Sequence, residues 1–113
     1  MERVKCMENI RFLNNIYLDE VLMQSDLKKL KQDLNDNPLS ANVFVIAIST
    51  NEHDQLDVYH SKYLIQRFYK KNPPLVIGIA KKQGNAFALV EKIVQECVTR
   101  RGDVNLKAYL VGE

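Results

Sequence analysis

Two apolar runs in the middle of the chain lack the polar and apolar alternation of a half-exposed strand. They occupy residues 42–49 (NVFVIAIS) and 75–80 (LVIGIA). Both are rich in β-branched residues and too short for a typical helix, so each predicts a β-strand. Strands without alternation are buried on both faces, as in parallel sheets. We therefore expect residues 43–48 and 75–80 to form adjacent parallel strands.

A third run, residues 104–111, does alternate. Its apolar positions lie two residues apart and would share one face of an extended chain: Leu106, Ala108 and Leu110. The other positions are more polar, which is typical of a strand with one exposed face. This pattern predicts a third strand at the edge of the sheet.

The residues between the first two strands are predicted to be helical. Apolar side chains recur there at helical spacing, namely Leu56, Tyr59, Tyr63, Leu64 and Phe68. Pro73 and Pro74 cannot continue a helix, so this one must end near Asn72.

The clearest helical pattern lies between the second and third strands. Six apolar residues are spaced as on one face of a helix: Phe87, Val90, Ile93, Val94, Cys97 and Val98. The Asn85 side chain can cap the first turn. Arg100 and Arg101 would stabilise the last turn, and Gly102 suits the left-handed residue that follows a helix.

The N-terminal part of the chain, residues 1–37, is predicted to be mainly helical. Leucines and Met23 at helical spacing predict a helix over about 19–34, ending before Pro38. Residues 10–18 allow either a helix or a hairpin that turns on Asn14 and Asn15. We favour the helix.

These elements predict an α/β protein with a single domain over residues 1–113. Residues 42–111 would form a β-α-β-α-β core with a three-stranded, mainly parallel sheet, and residues 1–37 a helical region packed on it. Helices on both faces would give three layers. We favour the strand order 2-1-3, with 1-2-3 as the alternative.

Composition and charge exclude several classes of protein. The chain of 113 residues is 46% hydrophobic and 27% charged, which predicts a globular core and argues against disorder. Its net charge of +2 is too small to steer it onto nucleic acid or an anionic membrane. No apolar run approaches the length of a membrane span, and the N-terminus lacks the apolar core of a signal peptide. We expect a cytoplasmic protein.

Neither a metal site nor a disulfide is predicted. Cys6 and Cys97 are isolated in the sequence, so we expect two reduced thiols and no cofactor. His53, Asp57 and His60 would share one face of a continuous helix, as metal ligands can. If Asp54 caps that helix, however, His53 lies outside it and the histidines are too far apart, so we expect no metal.

Polar residues after the first two strands form the main candidate ligand site. In an open α/β sheet, ligands bind beyond the carboxyl ends of parallel strands, where helix N-termini offer backbone N–H groups. The candidate residues are Ser49, Asn51, His53, Asp54, Lys81, Lys82, Gly84 and Asn85. The lysines and amides could hold a small anion, and His53 or Asp54 could move a proton. The second loop lacks the glycines of known phosphate-binding motifs, so we favour polar loops without a ligand over the site.

A basic group at the ends of the two predicted helices forms a second candidate. Lys70 and Lys71 end one helix, Arg100 and Arg101 end the other, and Phe68 lies beside the lysines. Together with Tyr69 they could hold an acidic partner or a nucleic-acid backbone through charge and stacking. The same cations would also stabilise the helix C-termini without any partner.

Two functions from different classes remain. The first is a non-catalytic module that binds a protein partner or itself, since no acid, base and nucleophile occur at a recognised spacing. The second is a small enzyme or anion-binding domain that uses the loop site. A small sheet with two open edges and many aromatic residues favours a homodimer, with a monomer as the alternative.

Overall fold

The computed structural model describes residues 10–22, 24–49 and 54–112, which form a compact mixed α/β fold. The strands are β1 (Arg11–Leu18), β2 (Phe44–Ile48), β3 (Leu56–His60) and β4 (Leu75–Ala80). The helices are α1 (Gln24–Asp36), α2 (Pro38–Ala41), α3 (Arg67–Lys71), α4 (Gln83–Arg101) and α5 (Leu106–Val111), with a 3₁₀ helix at Ser61–Ile65. Within the described residues, no helix has the length and apolar character needed to cross a bilayer.

The four strands form one mixed sheet in the order β1-β4-β2-β3. β1 pairs with β4 in parallel, whereas β2 pairs with both β3 and β4 in antiparallel fashion. The two central apolar runs are therefore neighbours, as predicted, but the prediction that they are parallel is wrong. A strand that is buried on both faces has no alternation of polar and apolar residues, whether its neighbours are parallel or antiparallel. The apolar pattern therefore could not indicate strand direction.

The predicted three-stranded sheet is wrong because three segments adopt other structures, one of which is β1, described in the next paragraph. Residues 56–60 form a strand rather than a helix, and Leu56 and Val58 pack on one core cluster while Tyr59 packs on the other. Period-two packing overrode the helical spacing in this segment. The run that was predicted as an edge strand is instead α5, where the Asn105 side chain accepts a hydrogen bond from Ala108 N–H (3.1 Å). This N-cap favours a helix over the short alternating pattern.

The N-terminal region is less helical than predicted. Residues 11–18 form β1, so both the helix and the hairpin predicted there are wrong. The pairing of β1 with β4 shifts between Phe12 and Tyr17, which indicates a bulge around the exposed Asn14 and Asn15. Tertiary pairing with β4 thus overrode the local pattern. The following helix exists, but α1 begins at Gln24 and extends to Asp36.

The long helix after β4 is confirmed. α4 spans Gln83–Arg101 and ends at Gly102, which has φ of 81° and donates its N–H to Val98 O (2.8 Å). The predicted cap is wrong, because Asn85 lies inside the helix. The N-cap residue is Lys82, and its side chain makes no capping hydrogen bond.

Two apolar clusters lie on opposite faces of the sheet. Along β2, Ile46 belongs to one cluster and Val45 and Val43 to the other. Residues of α4 and α5 complete the first cluster, including Ile93, whereas Leu34 of α1 belongs to the second. This arrangement is consistent with the predicted three layers.

Tyr59 carries a buried hydroxyl for which the described residues offer no hydrogen-bond partner. Its ring packs against Tyr69 with 5.2 Å between centroids, and burial raises the pKa of this phenol above its usual value. A buried polar atom without a partner costs about 1–3 kcal/mol.

Tyr59→Phe is therefore expected to raise the free energy of unfolding by about 1 kcal/mol, because it removes that cost and keeps the ring. Urea unfolding measures the change. Tyr69→Phe, at the neighbouring and partly exposed ring, is the matched control and should have little effect. A loss of stability in Tyr59→Phe alone would mean that its hydroxyl has a partner.

Candidate functional site

The structure does not bring the two predicted ligand loops together. β2 and β4 are antiparallel, with Phe44 opposite Ala80 and Ala47 opposite Val76, so their carboxyl ends lie at opposite ends of the sheet. Ser49 follows β2, is buried and donates its N–H to Gln55 O (3.1 Å).

Of the other predicted ligand residues in the first loop, Asp54 alone is among the described residues. Asp54 is exposed, and Asn51 and His53 lie outside the described residues. Ligand binding by this loop and by the Lys81–Asn85 loop therefore stays a separate prediction for each.

A carboxylate that the sequence did not single out lies at the Lys81–Asn85 loop. Asp19 follows β1, is 6% exposed, and donates its backbone N–H to Ile79 O (3.3 Å). Its Oδ2 accepts hydrogen bonds from Lys81 N–H (2.7 Å) and Asn85 Nδ2 (3.1 Å). Its Oδ1 accepts one from Val21 N–H (3.0 Å). Asp19 thus joins β1 to the first turn of α4.

The parallel pairing of β1 with β4 explains this position. Carboxyl ends of parallel strands meet at one end of a sheet, and α4 begins directly after β4, so Asp19 faces the helix N-terminus. A carboxylate there is stabilised by the helix dipole. An Asp directly after an apolar run could have signalled this role, but only if residues 11–18 had been recognised as a strand.

Asp19 also weakens the case for an anion site at this loop. The Lys81 N–H and the Asn85 side chain, both in the loop that was predicted to bind an external anion, already contact this internal carboxylate. Lys81, Lys82 and Gly84 are exposed around it.

The two lysines line a cleft of about 620 Å³ that also reaches α1. Asp26 and Asp33 line the same cleft together with Lys29, so its charge is mixed rather than uniformly basic. This charge pattern does not favour a phosphate group.

The proposed metal face does not form. Asp57 and His60 lie on β3, three residues apart, and so belong to opposite faces of a strand rather than one face of a helix. His60 Nε2 lies 3.0 Å from Asn42 Oδ1, and His60 Nδ1 accepts a hydrogen bond from Lys62 N–H (3.0 Å). Among residues 10–22, 24–49 and 54–112, no three His, Cys, Asp or Glu side chains form a group that could hold a metal ion.

Two tyrosines share one carboxylate between β1 and the C-terminal helices. Glu96 Oε1 accepts hydrogen bonds from the hydroxyls of Tyr17 (2.7 Å) and Tyr109 (3.3 Å). Burial and the hydrogen bond to Glu96 raise the pKa of Tyr17 above its usual value. The Tyr17 phenol therefore stays protonated at neutral pH and holds β1 to α4.

The most regular open surface of the fold is the outer edge of β3. Among residues 10–22, 24–49 and 54–112, β3 is the last strand of the sheet and pairs with β2 alone. Ser49 N–H donates to Gln55 O (3.1 Å) and Ser61 N–H donates to Val43 O (2.8 Å). These two hydrogen bonds fix which residues of β3 direct their backbone groups to β2.

In an antiparallel ladder, every second residue directs its backbone groups to the same neighbour. Asp57 and Tyr59 therefore bond to β2. The N–H and C=O groups of Leu56 and Val58 therefore point outward, away from the sheet. The His60 N–H also points outward, but His60 is the N-cap of the 3₁₀ helix, so its C=O accepts a hydrogen bond from the first turn of that helix.

The opposite edge of the sheet is less regular. The bulge in β1 interrupts its pairing between Phe12 and Tyr17 and places Asn14 and Asn15 at the surface. Bulges and polar residues are the usual means by which proteins prevent edge-to-edge pairing. β3 has a continuous ladder over its whole length and thus lacks that interruption.

An apolar stripe on α4 continues toward the β3 edge. The stripe, called the α4 stripe below, consists of Phe87, Val90, Val94 and Val98. Phe87 is 54% exposed and Val98 is 45% exposed, whereas Val90 and Val94 pack on the cluster that Val58 also contacts. Because Glu96 faces Tyr17 of β1, the other side of the helix, with the α4 stripe, faces β3.

No known protein family, curated protein or solved structure matches this chain. The geometry of the β3 edge and the α4 stripe therefore carries the functional argument.

Proposed function

We propose that the protein is a non-catalytic self-association module that forms a symmetric homodimer through β3 and the α4 stripe. The observation that carries this proposal is the set of outward backbone groups on β3 beside exposed apolar side chains on α4. A strand edge and an apolar surface that lie side by side are both covered when a second copy adds its own β3.

The ladder favours one register for the two β3 strands. With Val58 on the two-fold axis, Val58 pairs with Val58 of the second copy, and Leu56 pairs with His60. Val58 then forms a hydrogen-bonded pair with its counterpart, and Leu56 C=O can accept a hydrogen bond from His60 N–H of the second copy. Asp57 faces Tyr59 of the second copy, so the two Asp57 carboxylates do not oppose each other. A self-complementary register of this kind is what a two-fold interface requires.

The α4 stripe would supply the apolar part of the interface. In the dimer the two α4 helices flank the new strand pair on the same face of a continuous eight-stranded sheet. Burying a large apolar side chain contributes about 1.5–3 kcal/mol, so Phe87 and Val98 of both copies can offset much of the cost of association.

The alternative function, an anion-binding domain or small enzyme, has weaker support. Asp19 already contacts the start of α4, and the adjacent cleft has mixed charge. A cytoplasmic location belongs to our proposal as well. Cys97 supports it, because this buried thiol is not part of a disulfide and donates a hydrogen bond to Asp103 O (3.3 Å).

Like charges on the α4 stripe should separate the dimer. Phe87→Glu combined with Val98→Glu places four carboxylates at the apolar interface, so light scattering should report 13.1 kDa instead of twice that mass. The matched control is Ala88→Glu with Thr99→Glu, which adds the same charge to exposed positions elsewhere on α4. The control should stay dimeric, and its melting temperature should fall on dilution, as expected for a dimer.

A proline in β3 tests the strand pairing separately. The Val58 N–H points away from β2, so Val58→Pro should leave the fold intact and produce a monomer. Tyr59→Pro instead removes a hydrogen bond to β2 and should destabilise the fold by about 3 kcal/mol. A wild-type mass of 13.1 kDa at the highest concentration would overturn the proposal, as would a dimeric Val58→Pro protein.

A further inference from the structure

We propose that the surface formed by the 3₁₀ helix and α3 docks an acidic segment of a protein partner that carries a large apolar side chain. This surface, called the α3 surface below, consists of Lys62, Tyr63, Ile65, Arg67, Phe68 and Lys71. It does not include β3 or α4 residues, so it is independent of the proposed dimer interface.

The charge of this segment has one sign. Residues 61–72 contain four basic residues, Lys62, Arg67, Lys70 and Lys71, and no acidic residue. Lys62, Arg67 and Lys71 are exposed. The chain as a whole is nearly neutral, with a net charge of +2, so this basic character is local. A partner that covers the surface must supply carboxylates to satisfy these cations.

Large apolar side chains lie among these cations. Phe68 is 55% exposed, Ile65 is 51% exposed and Tyr63 is 43% exposed, whereas Leu64 between them is 4% exposed and belongs to the core. The segment divides into a 3₁₀ helix and the five-residue α3, so some of its apolar residues face the sheet and others face solvent. The inner residues attach the segment to the sheet. The outer ones remain available to a partner.

A cavity beside Ile65 offers a place for an apolar anchor. It has a volume of about 310 Å³, with Ile65, Tyr69 and Pro73 on its apolar side and Asn35 and Asn37 on its polar side. Asp36 also lines it and disfavours a second carboxylate inside. The expected ligand therefore inserts an apolar side chain here and places its carboxylates outside, near Lys62, Arg67 and Lys71.

The geometry favours a peptide over nucleic acid or a membrane. Bases need open aromatic faces, but the Lys62 ammonium lies over the Tyr63 ring (5.4 Å) and the Phe68 and Tyr69 rings meet edge to face at 85°. Binding in a bilayer interface usually needs a continuous amphipathic helix, whereas the 3₁₀ helix and α3 are each five residues long.

The test uses a fluorescent peptide built from Glu, Asp and Leu residues with one central Phe. Fluorescence anisotropy should detect binding to the wild type. Phe68→Ala and Arg67→Glu should each lower the affinity by about tenfold or more. Val104→Ala and Lys28→Glu are the matched controls, because they change an exposed apolar residue and an exposed cation outside both proposed interfaces. They should bind the peptide like the wild type.

The apolar and the charged contributions are measured separately, and the apolar one distinguishes docking from simple charge attraction. A peptide with Gly in place of the central Phe should bind at least about tenfold more weakly. Binding should weaken in about 1 M salt, where charges are screened within about 3 Å.

Equal affinity of the Phe and Gly peptides would overturn the proposal. Tighter binding of a single-stranded thymidine oligonucleotide, or of phosphatidylserine vesicles, through the same residues would also overturn it. Because Val58 lies on β3, outside the α3 surface, Val58→Pro should bind the peptide whether or not the dimer exists, so the two proposals can fail separately.

Discussion

Ile46→Asp is expected to abolish folding. Ile46 is fully buried in β2, between β3 and β4, and belongs to the cluster that α4 and α5 cover. An unpaired carboxylate at such a position costs several kcal/mol, against a total stability of about 5–15 kcal/mol for a domain of this size.

Far-UV circular dichroism and urea unfolding measure this effect. The expected result is the loss of the cooperative unfolding transition. Ile46→Val is the control, since removal of one buried methyl group should cost only about 0.5–1.5 kcal/mol. A cooperative transition for Ile46→Asp at the wild-type midpoint would contradict the burial of this residue.

The second large effect is expected at Asp19. Asp19→Ala removes one acceptor from each of three hydrogen bonds, to Val21, Lys81 and Asn85, and leaves their donors in a partly buried site. Hydrogen bonds to a charged group contribute about 1.5–3 kcal/mol each but are not additive, so we expect a loss of about 2–4 kcal/mol.

Two substitutions control this experiment. Asp19→Asn keeps the shape, but one side of its amide must face N–H donors with its own NH₂ group, so we expect an intermediate loss. Glu20→Ala removes an exposed neighbouring carboxylate and should have little effect. Urea unfolding compares the three proteins. Wild-type stability of Asp19→Ala would show that the carboxylate does not hold β1 to α4.

Local sequence patterns predicted an element correctly where the residues that specify it lie within that element. The apolar spacing from Phe87 to Val98 and the glycine at position 102 predicted α4, because helix periodicity and a left-handed C-terminal residue are local features. The runs at 43–48 and 75–80 predicted two buried strands for a similar reason. Neither segment contains information about the direction of its neighbour.

Short segments were predicted least well. Residues 56–60 and 106–111 are each five or six residues long, and both helical and alternating spacings fit so few positions. β1 was missed because its parallel partner, β4, lies more than sixty positions away in the chain.

For the candidate site too, the sequence located some residues in the fold and could not locate others. The sequence placed Lys81, Lys82, Gly84 and Asn85 at the start of a helix after a buried strand, which the structure bears out in position. It could not place Ser49 at the opposite end of the sheet, since that follows from antiparallel pairing. It also missed the outward edge of β3, because open backbone groups depend on which strand is last in the sheet.

The amino-acid sequence by itself determined which segments are buried, where the long helix ends and where the positive charge concentrates, because side-chain chemistry and local backbone preference belong to each position. Only the tertiary structure decided strand order, strand direction and the contacts of Asp19. Its partners Lys81 and Asn85 are 62 and 66 positions away. Such contacts depend on how the whole chain is packed, so no single segment specifies them.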